Sequence, residues 1–377
     1  MLAWPQNGSF VASAGPFPVS APDRLLAAAV LREEARRESF SRVGFAKAER
    51  PAGFDRFESW IAAGRHAGMN YLEKTRETRS SPERLLPGAR TVVCLAARHG
   101  IRPVLASDGA QLARYALGAD YHGTLRQRAT RVARAAARRI GPFRFRVCVD
   151  STPLAERSFA AAAGLGWIGK NGCLIDAEHG SYLLLAEIVT DLDLPPDEPV
   201  AERCGSCARC LEACPTEAFL GPGLLDAARC LAYWTIEHRG PLDDAIREKV
   251  GQRVFGCDIC QEVCPWNNPL PPAETERARS GQAAAKEDPP PTRREWLEMG
   301  PGQWRRRWGA TALNRAGRRG MQRNAAASAG ACADSSCLPA LQRTARVSEA
   351  GLSDASLWAL GRLGPPDPPD PARRKDL

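Results

Sequence analysis

No run of eighteen apolar residues occurs anywhere in the 377-residue sequence, so no membrane-spanning helix is expected. A secretory signal is missing too: residues 1–20 (MLAWPQNGSFVASAGPFPVS) have neither a basic start nor a continuous apolar run. The pair Arg36-Arg37 lies too deep for an export signal, and ESFSRVGF after it is no export segment. The expectation is a cytoplasmic protein without membrane attachment. Cytosolic thiols are kept reduced, so the 13 cysteines argue for metal or redox chemistry rather than disulfides.

An acidic excess is absent as well. The chain carries 52 Lys+Arg against 43 Asp+Glu, a formal net charge of +9, and its pI is about 9.0. A basic surface suggests an anionic partner, nucleic acid first. At 44% hydrophobic, the chain can build one large core or two to three modest ones.

Helical periodicity covers residues 21–39. TVVCLAARH (91–99), FRFRVCVD (143–150) and SYLLLAEIVTDL (181–192) read as strands, with helix-like segments at 124–140 and 153–164 between them. This alternation predicts an α/β or α+β domain over 21–200, behind a disordered tail at 1–20. A cysteine-rich region follows at 201–268, then a proline-rich linker at 269–292. Residues 293–364 contain short leucine- and alanine-rich helices that suggest one HEAT-like repeat. A lone repeat cannot bury its own face and must pack on what precedes it. The end, 365–377, reads as disordered.

Cys204, Cys207, Cys210 and Cys214-Pro215 have the spacing C-x2-C-x2-C-x3-C-P. Three thiolates at three-residue steps wrap one corner of a [4Fe-4S] cubane, and the fourth is carried to another cluster. Cys257-x2-Cys260-x3-Cys264-Pro265 repeats the motif's last elements, and Cys230 can supply the displaced first ligand. By ferredoxin logic one cluster takes Cys204, Cys207, Cys210 and Cys264, the other Cys214, Cys230, Cys257 and Cys260. Paired zinc sites are the alternative, but they use C-x2-C pairs, which three evenly spaced thiols do not suit. Cys94 and Cys148 lie in apolar strands and read as small core residues.

Two clusters make a wire, and the long segment before them suggests an acceptor site. In VCVDSTPLAERSFAAAAGLGWIGKNGCLI (147–175) a strand ends at Asp150, Pro153 is placed to open a helix and Thr152 to cap it. Asp150 is then free to face a ligand crevice at the strand's carboxyl end. A plain turn residue is an equal reading. GLGWIGKNG permits close backbone approach to a ligand, or is an ordinary turn.

Together RYALGADYH (114–122), VDSTPLAER (149–157), GWIGKNGCLI (166–175), the eight cysteines, YWTIEHRG (233–240) and CDICQEVCPWN (257–267) resemble epoxyqueuosine reductases. The resemblance runs over about 25–362. It implies a cobalamin-binding α/β domain, a ferredoxin insertion and a HEAT-like tail. It implies reduction of the epoxide of epoxyqueuosine to queuosine at the wobble position of tRNA, the last step of queuosine biosynthesis. The cofactors implied are cobalamin, cob(II)alamin at rest, and two [4Fe-4S] clusters fed by an external low-potential electron donor. It makes Asp150 the proton donor and implies cobalamin contacts at Tyr115, Tyr121, His122, Asp150, Lys170, Asn171, Leu174 and Ile175. A monomer is expected. The short C-terminal repeat, interrupted by ACADSSC, departs from the family pattern.

A corrinoid reductive dehalogenase shares the cobalamin and two-cluster plan, but it usually carries an export signal and has no reason to be basic. A non-catalytic iron–sulfur carrier is the alternative from another class. Between 293 and 324, nine arginines face only Glu295 and Glu298. Arg305, Arg306, Arg307, Arg315, Arg318 and Arg319 are the candidate tRNA contacts; a solvated face is the plainer reading. Trp296, Trp304 and Trp308 interleave with them, placed to stack on bases or, more often at that spacing, to form helix core.

Overall fold

The computed structural model describes residues 23–100, 103–267 and 289–364. The tails expected at 1–20 and 365–377, and most of the linker expected at 269–292, lie outside the described residues. The chain forms two compact units that interleave along the sequence. Among the described residues, the first unit takes 23–100, 118–227 and 259–267; the second takes 103–117, 228–258 and 289–364.

The first unit runs through helix α1 (Arg24–Arg37), strands β1 (Arg42–Lys47) and β2 (Thr91–Arg98), helix α2 (Tyr121–Ile140), strand β3 (Phe145–Cys148), helix α3 (Glu156–Ala162), the short hairpin β4 (Trp167–Ile168) and β5 (Leu174–Ile175), and strand β6 (Leu183–Thr190). The main sheet has the order β1-β2-β6-β3, each neighbouring pair antiparallel. Alternating side chains feed two cores. Val93, Leu95, Phe145 and Ile188 meet Leu31 of α1 and Ala129, Val132 and Ala136 of α2 on one face. Val92, Cys94, Cys148 and Val189 meet Phe159 and Ala160 of α3 on the other. With both faces covered, every residue of β2 is buried, which is why it reads as a continuous apolar run. Cys94 and Cys148 are fully buried core residues, as their apolar strands suggested.

One local expectation is corrected, and one strand is added: β1, in which Gly44 interrupts the apolar pattern. A Cβ there would stand 2.1 Å from the Ala163 carbonyl oxygen, so the glycine is what lets the end of α3 cross β1. Helix α3 begins at Glu156, not at Pro153, and its cap position is Ala155 without a side-chain cap. Thr152 and Pro153 belong instead to the turn that leads from β3 into the helix.

The second unit is mainly helical: α4 (Asp244–Val250), α5 (Arg293–Glu298), α6 (Pro301–Arg307), α7 (Gly317–Ala331), α8 (Leu338–Thr344) and α9 (Ala350–Leu363). Thr292 and Glu295 form a reciprocal capping box on α5, and Pro301 opens α6. Residues 321–330 of α7 are all buried. Its small side chains allow close approach; a Cβ on Gly330 would lie 2.6 Å from the Trp358 ring. Trp296, Trp304 and Trp308 are core residues, 0%, 6% and 5% exposed, so they do not present faces for base stacking.

Two of the nine arginines are buried rather than solvated. Arg323 is 2% exposed and donates to the carbonyls of Trp234, His238 and Gly240. Arg293, also 2% exposed, donates to Ser328 Oγ and the Asp108 carbonyl and pairs with Asp108 and Asp334. Asn324 donates to the carbonyls of Thr235 and Val254. The C-terminal helices are thereby fastened to the segment that carries Cys230 and Cys257.

Candidate active site and cluster ligands

In the first unit, Cys204, Cys207, Cys210 and Cys264 line one cavity, together with Lys170, Asn171, Ile175, Arg209, Pro265 and Trp266. A tight turn, in which the Cys207 amide donates to the Cys204 carbonyl at 3.0 Å, presents the first two thiols. The short helix Arg209–Glu212 carries Cys210, and Cys264 follows the helix Ile259–Glu262. Burial pushes the Cys210 and Cys264 thiols up, and neighbouring cysteines of the set push them further. Cationic irons reverse that cost, because a metal-bound thiol is deprotonated outright. Among the described residues, no three His, Cys, Asp or Glu side chains converge tightly enough for a single metal ion. A cubane instead takes one thiolate per iron around its outside, so four thiols lining a shared cavity suit it.

The other four cysteines are distributed two and two. Cys214 and Cys260 belong to the first unit, Cys230 and Cys257 to the second. Cys214 Sγ accepts the Ala218 amide at 3.3 Å. Cys257 packs against Leu231, Leu242 and Ile246.

Asp150 lies two residues beyond β3, with left-handed backbone at φ 45°, uncommon for any residue but glycine. Tyr121 Oη donates to its Oδ2 at 3.1 Å, and His122 Nε2 lies 2.7 Å from the same oxygen. The other ring nitrogen of His122 is 2.6 Å from Asp120 Oδ1. Asp120 also caps α2 by accepting the His122 amide. Burial of the imidazole works against its charge, but its hydrogen bonds to Asp120 and Asp150 and their charges outweigh that and hold its pKa up at about 9. His122 is therefore an imidazolium at neutral pH and donates to both carboxylates. The Asp150 side chain is 58% exposed.

The remaining candidates separate. Lys170 Nζ donates to the Gly205 carbonyl at 2.6 Å, and Asn171 donates to the Cys260 carbonyl at 3.3 Å. Both, with Ile175, wall the cluster cavity, whereas Leu174 belongs to the core under α3. Tyr115 lies in the second unit, where its ring packs on Phe255. Arg305, Arg306 and Arg307 are exposed in the last turn of α6, where cations also favour the helix end. Arg315 pairs with Glu237 at 2.7 Å, and Arg318 and Arg319 both donate to Gln322 Oε1. Glu156 and Glu187 were not singled out from sequence. A signal was there for Glu187 alone, the one glutamate among the apolar residues of the strand 181–192.

A cysteine-lined cluster cavity in the same unit as a carboxylate–imidazolium pair defines an iron–sulfur oxidoreductase. Residues 203–267 match the family described as "4Fe-4S double cluster binding domain", and residues 79–151 match "Epoxyqueuosine reductase QueG, DUF1730". An epoxyqueuosine reductase of Xanthomonas campestris pv. campestris is 44% identical over 253 residues, 65% of this chain and 71% of that protein. One from Gloeobacter violaceus is 39% identical over 82% of this chain and 97% of its own length. The chain belongs to the epoxyqueuosine reductase family. Among solved structures, an epoxyqueuosine reductase bound to an epoxyqueuosine-modified tRNA-Tyr stem loop is 30% identical, with TM-score 0.80 over 91% of this chain and 92% of that one. The Bacillus subtilis enzyme, captured with an aspartate-bearing catalytic loop swung out of its active site, is 28% identical, with TM-score 0.82 over 91% and 92%. Among the described residues, no helix is long and apolar enough to cross a membrane.

Proposed function

We propose that this chain reduces the epoxide of epoxyqueuosine, at the wobble position of tRNA, to queuosine, with Asp150 as the proton donor. The observation that carries the reading is the exposed Asp150 carboxyl, held by Tyr121 and the His122 imidazolium in the unit that also holds the first cysteine set. Deoxygenation of the epoxide consumes two electrons and two protons and leaves an alkene and water. One proton must reach the epoxide oxygen as the carbon–oxygen bond breaks, because an unprotonated oxide is a poor leaving group. The Nε2 proton of the His122 imidazolium passes through Asp150 Oδ2 to that oxygen and leaves a neutral imidazole, which Asp120 keeps aimed through its other nitrogen; solvent supplies the second proton and later reprotonates the ring.

Cys204, Cys207, Cys210 and Cys264 would hold one [4Fe-4S] cluster and Cys214, Cys230, Cys257 and Cys260 the other, and the chemistry such clusters would supply is single-electron transfer from an external low-potential donor. Cobalamin is the inferred acceptor. Tyr121 and His122, which converge on the exposed Asp150 carboxyl, would flank the group with it. When bound, a reduced corrin cobalt supplies the two-electron reductant. The helices of residues 293–364, with Arg305, Arg306 and Arg307 exposed, are the proposed HEAT-like tRNA-docking surface.

The test is anaerobic turnover of epoxyqueuosine-containing tRNA, followed by nucleoside analysis. Asp150→Asn is expected to keep its iron and corrinoid but lose about 10²-fold or more in rate. Turnover near the parent rate would overturn the assignment.

A further inference from the structure

Strand β6 carries a carboxyl where its neighbours are apolar. Glu187 is fully buried, in register with Cys94 of β2 and Cys148 of β3, on the face covered by α3. Neither of its carboxyl oxygens meets an N–H or O–H donor. Its carboxyl neighbour is Glu156, the first residue of α3, which interacts with it directly. Glu156 Oε1 in turn accepts the backbone N–H of Asp150. We propose that Glu156 and Glu187 form a two-carboxyl latch, in which the Glu187 hydroxyl donates to Glu156 and Glu156 holds the Asp150 amide, fixing the left-handed turn that aims the Asp150 carboxyl.

Two carboxyls in one buried pocket cannot both ionise. Burial, then the charge of Glu156, pushes Glu187 far above the usual carboxylate range, so it is a neutral acid with a hydrogen to donate. Burial, then the charge of Asp150, raises Glu156 to about 7, against the opposing charge of Arg79. The other titratable groups near the pair include the Cys94 and Cys148 thiols, which burial pushes up and which stay neutral, the Arg146 and Arg126 guanidiniums, whose charges oppose that rise at Cys148, and Asp197, whose charge adds to it at Cys94. An ionised Glu156 makes the stronger, charge-assisted bond to the Asp150 amide. A non-glycine residue in left-handed backbone costs roughly 1–2 kcal/mol, which that bond offsets. Glu156 and Glu187 are thus positioning residues; neither reaches the substrate.

The proposal rests on Asp150 being the acid, so its test needs two readouts. The first is amide hydrogen exchange of the peptide containing Asp150, in the cluster-loaded protein. Glu156→Ala is expected to speed exchange there by about tenfold, and Glu156→Gln, which keeps an acceptor oxygen, to restore it. Glu187→Gln keeps a donor and should match the parent; Glu187→Leu should behave like Glu156→Ala. The second is turnover: kcat falls about tenfold in Glu156→Ala with KM for tRNA unchanged, and the kcat inflection near pH 7 disappears in Glu156→Gln. Unchanged exchange and kcat in Glu156→Ala, beside an inactive Asp150→Asn, would overturn the latch. An active Asp150→Asn would overturn the acid assignment alone, because exchange reports the latch by itself.

Discussion

Beside the Asp150 turn of the first unit, the ionisable groups withdrawn from water are two carboxyls, Glu187 inside β6 and Glu156 at the start of α3, although Arg98 and Arg128 are buried elsewhere in that unit. Along the C-terminal helices of the second unit they are two guanidiniums, Arg293 and Arg323, each 2% exposed. A carboxyl can answer burial by keeping a proton. A guanidinium cannot leave its charge behind near neutral pH, so its surroundings must supply acceptors. Arg323, which burial lowers only to about 10, is given three carbonyls, and Arg293 two carboxylates, a hydroxyl and a carbonyl. The carboxyl pair of the first unit therefore titrates and suits proton chemistry. The two guanidiniums of the second are fixed charges, and Arg323 fastens α7 to the segment that follows Cys230.

The largest test of this contrast is on stability. Arg323→Met strands the carbonyls of Trp234 and Gly240 and leaves that of His238 to Arg239 alone, and each stranded group costs about 1–3 kcal/mol. A loss of about 3 kcal/mol or more is expected by chemical denaturation. Glu187→Gln, which exchanges one neutral donor for another, should change stability by less than about 1 kcal/mol at neutral pH. Equal losses would erase the distinction.

The next effect is on iron. With the first cluster held by the cysteines that line one cavity, Cys207→Ser should lose about half the iron of the fully loaded protein. Cys94→Ala should keep all of it, because that thiol lies inside the sheet. Iron and labile sulfide assays decide this; zinc in half the sites would sink the two-cluster reading.

Smaller again is the exposed basic surface of the second unit. Reversing Arg305, Arg306 and Arg307 to glutamate should weaken tRNA binding by about 10–100-fold and flatten its salt dependence, since each phosphate contact releases counterions. The melting temperature should barely move, because all three side chains are exposed. An unchanged affinity removes this turn from the docking surface.

Sequence alone distinguished these classes unevenly. The first cysteine set was legible because a ligand motif is local, and Cys204, Cys207, Cys210 and Cys264 do line one cavity. So were α1, α2 and β2, whose apolar patterns match their burial. Arg305 and Arg323 read alike in the chain; only the packing of α7 makes one exposed and the other buried. Pro153 and Thr152 carried a sound helix-start signal that tertiary contact overrode, since Glu156 at the true start holds the Asp150 amide. Asp150 was visible at the end of its strand. The charge on its partner was not, because it depends on Asp120 and Asp150 converging on one ring.

That ring gives the smallest and most specific prediction. His122 sits between two carboxylates, and its folded pKa is raised from 6.5 to about 9. A raised base binds its proton more tightly folded than unfolded, so its stabilisation is fully present below pH 6.5 and is lost as pH rises through about 9. Its side chain is 27% exposed, so the contribution is on the order of 2 kcal/mol. His122→Gln keeps a donor but no titratable charge. The difference in unfolding free energy between parent and variant should be greatest near pH 6 and shrink towards zero by about pH 9–10. Glu156 titrates lower: its pKa rises from 4.5 to about 7, so its contribution is present below 4.5 and lost as pH rises to 7. The two windows barely overlap, which lets a pH series on His122→Gln isolate the imidazolium. A difference that stays constant from pH 6 to 10 would mean that His122 holds Asp150 by shape alone, and the proton source for Asp150 would then lie elsewhere.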